Sequence, residues 1–449
     1  MLVNITEYFI ESGREWRVGQ NPDVPREVAA MWIADGKATA DTDGVRNQSP
    51  VSKAGNRQHG IYTFDGRVAA THTPDAASGT TYSAVFTLPL AVDAIEPIFC
   101  NGGGSTYTIT AMSAAAVPDD GSDLNGASQT LTVGSVAGKD TVPALVGTAQ
   151  PGLLVGNRIL LANPSGYRTV MVRCYLPNTA GSVTMMGNGA NGTDSFVNWA
   201  DRTDERVSFR AQTGNQTATA AAFTSTTQVS YCPIIGVKFY ARGKVYSIML
   251  TGDSIESGRG TYKADGPVRQ AIRSMARSGY VVSVANLAWS SSSSTNNRGT
   301  AGIAFAAGLV PDMLIRPGAS PNDTSGAISD ATTVQAWRAA AAESRAACAQ
   351  YNVECAFRTG IPANNTGDTP AGAETWGATD SLLQAWNAEL LSWRSRGVRV
   401  WDWWRSVAGG VGAGGNVVLA PGMTSDGTHP NDQGNAQIAA DMVASGLLP

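Results

Sequence analysis

The chain is poor in charge. Asp, Glu, Lys and Arg make up 15% of its 449 residues, against roughly 25% in an average globular protein. The formal net charge is −4, and no lysine follows Lys263. So few scattered cations build no basic face for nucleic acid or an anionic membrane. Histidine is scarcer still, limited to His59, His72 and His429. If chemistry in the C-terminal half needs a histidine as base near neutral pH, His429 must supply it. The five cysteines, Cys100, Cys174, Cys232, Cys348 and Cys355, are odd in number, widely spaced and without a C-x-x-C pair. That pattern argues against a disulfide framework and a zinc site, and for small buried thiols. No histidine stands at metal-ligand spacing, so no metal or cofactor is expected. The stretch "MLVNITEYFIESGREW" lacks a basic start followed by an apolar core, and no run of 18 apolar residues occurs. Neither a secretion signal nor a membrane span is therefore expected, and synthesis in the cytoplasm is.

What the chain does have is length, glycine and small polar residues, enough for two or three domains with buried cores. Residues 1–50 read as a small separate unit. In it, "NPDVPREVAAMWIADGKA" predicts a short helix with Pro25 near its first turn, Gly36 as a stop, and Val28, Met31 and Trp32 on one side. Residues 51–240 turn to Thr, Ser, Gly and Val with frequent turn signals. "YRTVMVRCYLP" alternates so that Val170, Val172, Cys174 and Leu176 share a face, and "STYTITAMS" and "TQVSYCPIIGVKFYARG" also favour strands. A β-sandwich or jelly roll is expected there.

Residues 241–449 alternate strand and helix. Strands are expected at "KVYSIML", "YVVSVANLA", "DMLIRPG", "VECAFRTG" and "VRVWDWW", with helices between them and a last helix opened by Pro430. Five strands separated by helices predict an α/β fold with a doubly wound parallel sheet, whose ligands bind outside the carboxyl ends of the strands. "GNGANG" at 187–192 and "GVGAGG" at 410–415 match G-x-G-x-x-G but neither follows a strand and opens a helix, so both read as glycine loops.

Ser254, in "MLTGDSIESGRG", lies at the first such carboxyl end. Locally, Gly-Asp-Ser suits the cap of a following helix better than a nucleophile. Near the other end, "TSDGTHPNDQGNAQ" sets Asp426 three residues before His429, close enough for a carboxylate to hold the imidazole Nδ1–H, although a capped helix with an incidental histidine reads equally well. "GDSI" lies outside G-x-S-x-G, which argues against an α/β-hydrolase elbow.

A serine after the first strand, paired with Asp-x-x-His before the last helix, resembles the SGNH (GDSL-like) hydrolase superfamily over residues 244–449. The resemblance implies a flavodoxin-like three-layer α/β/α domain in which Ser254 is nucleophile, His429 its base and Asp426 the orienter. It further implies an oxyanion hole formed by the N–H of Ser254 and by donors from two intermediate motifs. "PDMLIRPGASPNDT" offers Asn322 as one donor, a residue that also suits a plain turn. In "NLAWSSSSSTNN" the family's glycine is replaced by Ser291, which still carries a backbone N–H. Trp289 and Trp376 fall in loops that would flank the site, where they either stack on a sugar or pack beneath a loop.

Hydrolases of this kind joined to a jelly-roll-like domain often remove acetyl groups from polysaccharides. "REWRVGQ" and "VPREVAAMWIADGKAT" resemble anchoring segments of phage virion proteins. Together these imply a carbohydrate O-acetyl esterase on a phage tail or fibre, with acetylated polysaccharide and other virion proteins as partners and a homotrimer as the oligomer. The alternatives are a virion structural or glycan-binding protein whose hydrolase domain is degenerate, and a lipase or thioesterase, which needs a wide apolar acyl groove.

Overall fold

The computed structural model describes residues 59–445 apart from 65–66, 124–128, 148–149, 163–165, 189–206, 219–222, 225–228, 230, 242, 259–265, 275–280, 291, 324–330, 361–379 and 412–416; before residue 59 it describes only four three-residue strands. The chain forms two compact units, Met1–Arg57 and Gln58–Leu448. In the first, Val3–Ile5 pairs with Ala38–Ala40 and Phe9–Glu11 with Arg14–Trp16, all antiparallel. The helix expected around Val28, Met31 and Trp32 lies outside the described residues.

The first half of the second unit is built from antiparallel sheets. One has the order Thr132–Gly134, Ala111–Val117, Thr169–Leu176, Thr80–Thr87, Val207–Thr213; another runs Gly152–Val155, Val92–Asn101, Ile234–Ala241, His59–Thr63. Val170, Val172, Cys174 and Leu176 are fully buried, because a period of two sends alternate side chains to one face. They share one apolar interior with Ile95, Phe99, Val237 and Phe239 of the other sheet. Edge-to-face rings join the layers, Tyr62 to Phe86 at 6.0 Å and Phe64 to Phe209 at 5.0 Å. Pro233 has no N–H to give a ladder, and there the expected strand breaks into Tyr231–Cys232 and Ile234–Ala241.

The second half carries a five-stranded parallel sheet. In sequence order its strands are Val245–Leu250, Val281–Asn286, Met313–Pro317, Glu354–Arg358 and Arg399–Trp401, and in space they run second, first, third, fourth, fifth. This is the flavodoxin-like order, with its reversal point beside the first strand. Every residue of Val245–Leu250 is buried, as expected of a strand covered on both faces. The helices Ala331–Gln350 and Asp380–Ser392 cover Phe357 and Val400 with Trp337, Leu383, Trp386 and Leu390. Pro267–Ser274 packs on Asp432–Ala444.

Three helix-to-strand joints use one device. Asn352 (φ 55°), Gly308 (φ 92°) and Gly397 (φ 75°) take the left-handed conformation. The next N–H then donates back into the helix end: Val353 to Cys348 O, Leu309 to Ala304 O, Val398 to Trp393 O.

Two expected elements differ. The strand read in "VRVWDWW" stops at Trp401, because Trp403–Val407 turns helical and Trp403 packs edge-on against Trp401 at 5.0 Å. The glycine loop at 410–415 begins inside a hairpin of Ala408–Val411 with Val417–Leu419.

The antiparallel and parallel halves share one core. Met249, Ala285 and Phe305 belong to the same buried cluster as the antiparallel sheets. The strand His59–Thr63 lies against the first two parallel strands. Its Ile61 N–H is shared by the hydroxyls of Ser247 and Ser283, each at 3.3 Å, which explains two serines on a buried sheet face. Thr63 Oγ1 accepts from Asn286 N at 2.7 Å and donates to Asn286 O at 3.0 Å, while Arg269 Nη2 donates to Thr63 O.

Candidate active site

Beyond Leu250 the chain turns sharply over residues 253–258, and the next described helix starts only at Pro267. Within the turn Asp253 takes the local backbone: its Oδ1 accepts from Ile255 N at 2.8 Å, and its O accepts from Ser257 N at 3.1 Å. Glu256 Oε2 accepts from Asp253 N at 3.0 Å. The Ser254 hydroxyl thus meets a side chain from the far end of the unit, His429 Nε2, at 2.8 Å. Ser254 is 4% exposed.

The turn that delivers His429 is knitted by its own backbone. Thr424 Oγ1 accepts from Gly427 N at 3.0 Å, and Asp426 Oδ1 accepts from Thr428 N at 2.9 Å and His429 N at 2.8 Å. Asn431 caps the final helix by accepting from Gly434 N, so the helix begins at Asp432, two residues beyond Pro430. His429 Nδ1 donates to Asp426 Oδ2 at 2.6 Å, which leaves Nε2 as acceptor and the Ser254 hydroxyl as donor. The partial burial of Asp426 opposes its ionisation. The hydrogen bond and charge of His429, with the two N–H groups, outweigh that burial and hold the carboxyl well below the usual range.

Two loops close around this pair. In the one after the second strand, Trp289 N, Ser292 Oγ and Asn297 Nδ2 all donate to Gly252 O at 3.0, 2.9 and 2.9 Å. Asn286 Nδ2 donates to Glu256 O at 2.6 Å. In the loop after the third strand, Ser320 Oγ and Asn322 Nδ2 each donate to Ser292 O at 3.0 Å. Two stacked tryptophans hold that loop from beneath. Trp337 Nε1 donates to Asp323 Oδ2 and Trp386 Nε1 to Gly318 O, both at 2.8 Å, with ring centroids 6.3 Å apart.

Of the residues singled out in the sequence, Ser254, His429 and Asp426 come together in one hydrogen-bonded series, and Asn322 lies in the adjoining loop. Trp289 is half-buried and packs against the shared core. Ser291 and Trp376 lie outside the described residues. Sequence reasoning missed Glu256, Asn297 and Arg358. Glu256, two residues after Ser254, was the one visible signal: a second acid within three residues of Asp253, in a chain with little charge. Among the described residues no group of three His, Cys, Asp or Glu side chains is placed to hold a metal ion, and no helix is long and apolar enough to cross a membrane.

No family model matches the chain, and no curated relative does. Solved structures do resemble part of it. One is a putative acylhydrolase from Bacteroides fragilis NCTC 9343, at 18% identity, covering 45% of this chain and 88% of that one with a TM-score of 0.33. Another is a GDSL-like lipase from Bacteroides thetaiotaomicron VPI-5482, at 17% identity over 45% and 87% with a TM-score of 0.32. A third is a putative lipolytic protein of the G-D-S-L family from Desulfitobacterium hafniense DCB-2, at 13% identity over 45% and 99% with a TM-score of 0.33.

Proposed function

We propose that the chain is a serine ester hydrolase of the SGNH (GDSL-like) type. The observation that carries this reading is the series Ser254 to His429 to Asp426, with contacts of 2.8 and 2.6 Å, at the carboxyl edge of the parallel sheet. Ser254 Oγ attacks the ester carbonyl carbon while its proton passes to His429 Nε2; Asp426 fixes the tautomer and stabilises the imidazolium. The bond to the leaving alcohol then breaks as His429 returns the proton to the alcohol oxygen. Water repeats the sequence on the acyl-serine. The donors we assign to the oxyanion are Ser254 N–H, Ser291 N–H and the Asn322 amide, whose Nδ2 also donates to Ser292 O; losing one donor costs about 10²–10³ in rate.

The acyl group we assign is acetyl, carried by a polysaccharide. In support, the two loops that fasten to the Ser254 turn and to each other carry short polar side chains: Ser292, Ser293, Asn297, Ser320 and Asn322. They suit a small acyl group on a hydroxyl-rich scaffold better than a long alkyl chain, whose burial needs apolar area. Trp289 and Trp376 are the sugar-stacking residues of this reading, and the antiparallel half is a jelly-roll-like glycan platform. We further propose that residues 1–50 attach the protein to other virion proteins of a phage tail or fibre, as a homotrimer. The test is acetate release from acetylated surface polysaccharides, with Ser254→Ala as control. Release that vanishes in Ser254→Ala supports the reading. Polysaccharide binding without release would instead support a glycan-binding virion protein with a degenerate hydrolase domain.

A further inference from the structure

Directly behind Ser254, three ionisable side chains are sealed from water: Asp253 is 0% exposed, Arg358 1% and Glu256 3%. Arg358 Nε donates to Glu256 Oε1, and its Nη1 donates to Thr359 O at 3.1 Å. Its Nη2 stands 3.8 Å from Asp253 Oδ2, beyond direct hydrogen-bond reach. The Trp403 ring covers the guanidinium at 4.4 Å. Glu256 uses its second oxygen to hold the Asp253 N–H. The turn that aims Ser254 is thus fastened, through Glu256, to the end of the fourth strand.

The charges do not balance with all three ionised. Two carboxylates face one guanidinium, and an uncompensated charge in such a site is strongly unfavourable. The other charged groups around the turn are committed elsewhere. Arg316, on the third strand, donates to Ser344 Oγ and Ser294 O, and Asp323, in the loop after it, accepts from Ser294 N, Ser320 N and Trp337 Nε1. Asp402, after the fifth strand, binds Thr359 Oγ1 and pairs with Arg405; His429, from the last turn, is held by Asp426. A proton on one carboxyl restores neutrality. Glu256 holds the short contact to Arg358, so the proton belongs on Asp253.

We propose that Arg358 and Glu256 are positioning residues for the nucleophile, and that they hold Ser254 in register with His429 only while Asp253 is protonated. The inference rests on the ester-hydrolase reading. Burial, and then the charge of Glu256, push the Asp253 carboxyl up to about 7 against the opposing pull of Arg358. Once ionised, Asp253 Oδ2 competes with Glu256 for the guanidinium. That loosens the grip of Glu256 on the Asp253 N–H and sets a full negative charge one residue from the Ser254 N–H that serves the oxyanion.

The test uses the full chain, with p-nitrophenyl acetate hydrolysis and fluorophosphonate labelling of Ser254 followed from about pH 5.5 to about 9. Wild-type kcat and labelling rate should fall up to about tenfold per pH unit above about 7. Asp253→Asn, which mimics the protonated form, should flatten that alkaline limb whatever its absolute rate. Glu256→Gln, nearly isosteric, should lower kcat at every pH while KM changes less than about twofold, because the turn is misplaced and the binding loops are not. An alkaline limb shared by wild type and Asp253→Asn overturns the inference alone, as does a Glu256→Gln variant of unchanged melting temperature with wild-type kcat. A wild type that neither hydrolyses the ester nor labels overturns the ester-hydrolase reading and the inference with it.

Discussion

Removing the two hydroxyls that share Ile61 N–H should cost more together than the sum of the separate losses. Ser247 Oγ and Ser283 Oγ lie 2.9 Å apart, and each stands 3.3 Å from that buried N–H. In Ser247→Ala or Ser283→Ala the remaining hydroxyl still accepts, so each should destabilise by about 0.5–1 kcal/mol, a typical net hydrogen bond. The double variant leaves a buried N–H with no acceptor and adds a desolvation penalty of about 1–3 kcal/mol. A coupling of about 1 kcal/mol is therefore expected, read as the shift in urea midpoint at constant slope across the four-member cycle. Additivity within about 0.3 kcal/mol would refute the shared-acceptor reasoning and leave apolar packing as the joint between the two halves.

Stability should also carry the sign of Asp253. Its carboxyl is raised from 3.8 to about 7 in the fold, so its contribution is fully present in acid and is lost as pH rises through that window. Asp253→Asn should therefore melt above wild type near pH 8 and not near pH 4, and equal melting shifts at both would count against the assignment. Gly252→Ala should cut activity sharply and lower the melting temperature, because a Cβ there would come within 2.1 Å of Glu256 Oε2, the buried atom that holds the turn, at a φ of 159° that side chains rarely adopt; wild-type kcat would show that Glu256 can move without consequence. A chain beginning at Gln58 should fold, whereas one beginning at residue 241 should aggregate or melt early, since it lacks the strand that Ser247, Ser283, Asn286 and Arg269 engage. A cooperative, active 241–449 fragment would contradict this. Ester hydrolysis should survive EDTA, and loss restored by a divalent ion would break the serine mechanism.

The parallel sheet was legible because each of its strands is a short apolar run between helical periods, and its reversal point then marks where a ligand should bind. Ser254, Asp426 and His429 were legible for a different reason: two short motifs happen to carry all three. What the sequence hid is contact across long separations. Nothing near Glu256 announces that Arg358 will reach it, and Ser247 and Ser283 look like accidents until the strand at 59–63 is laid over them. Asn322 could be named from its turn, yet the Ser292 carbonyl that holds its amide comes from another loop. Trp337 and Trp386 read as ordinary helix core, and only the fold shows their indole N–H groups fastening Asp323 and Gly318. Alternation in "VRVWDWW" predicts a longer strand than forms, because it cannot see Trp403 turning over Arg358.

The strand His59–Thr63 also sets a schedule. Its hydrogen-bond partners in the parallel half lie 186, 222 and 223 residues further along the chain, so at about 5–20 residues per second the ribosome has finished the antiparallel half well before Ser283 and Asn286 emerge. The first parallel strands then arrive at a surface already made, which receives Ser247 and Ser283 as they are synthesised. A chain refolding from denaturant has no such order and must close those loops by search, the situation in which high contact order slows folding. Translation and dilution from urea should therefore deliver this protein to its native state at different speeds and with different yields.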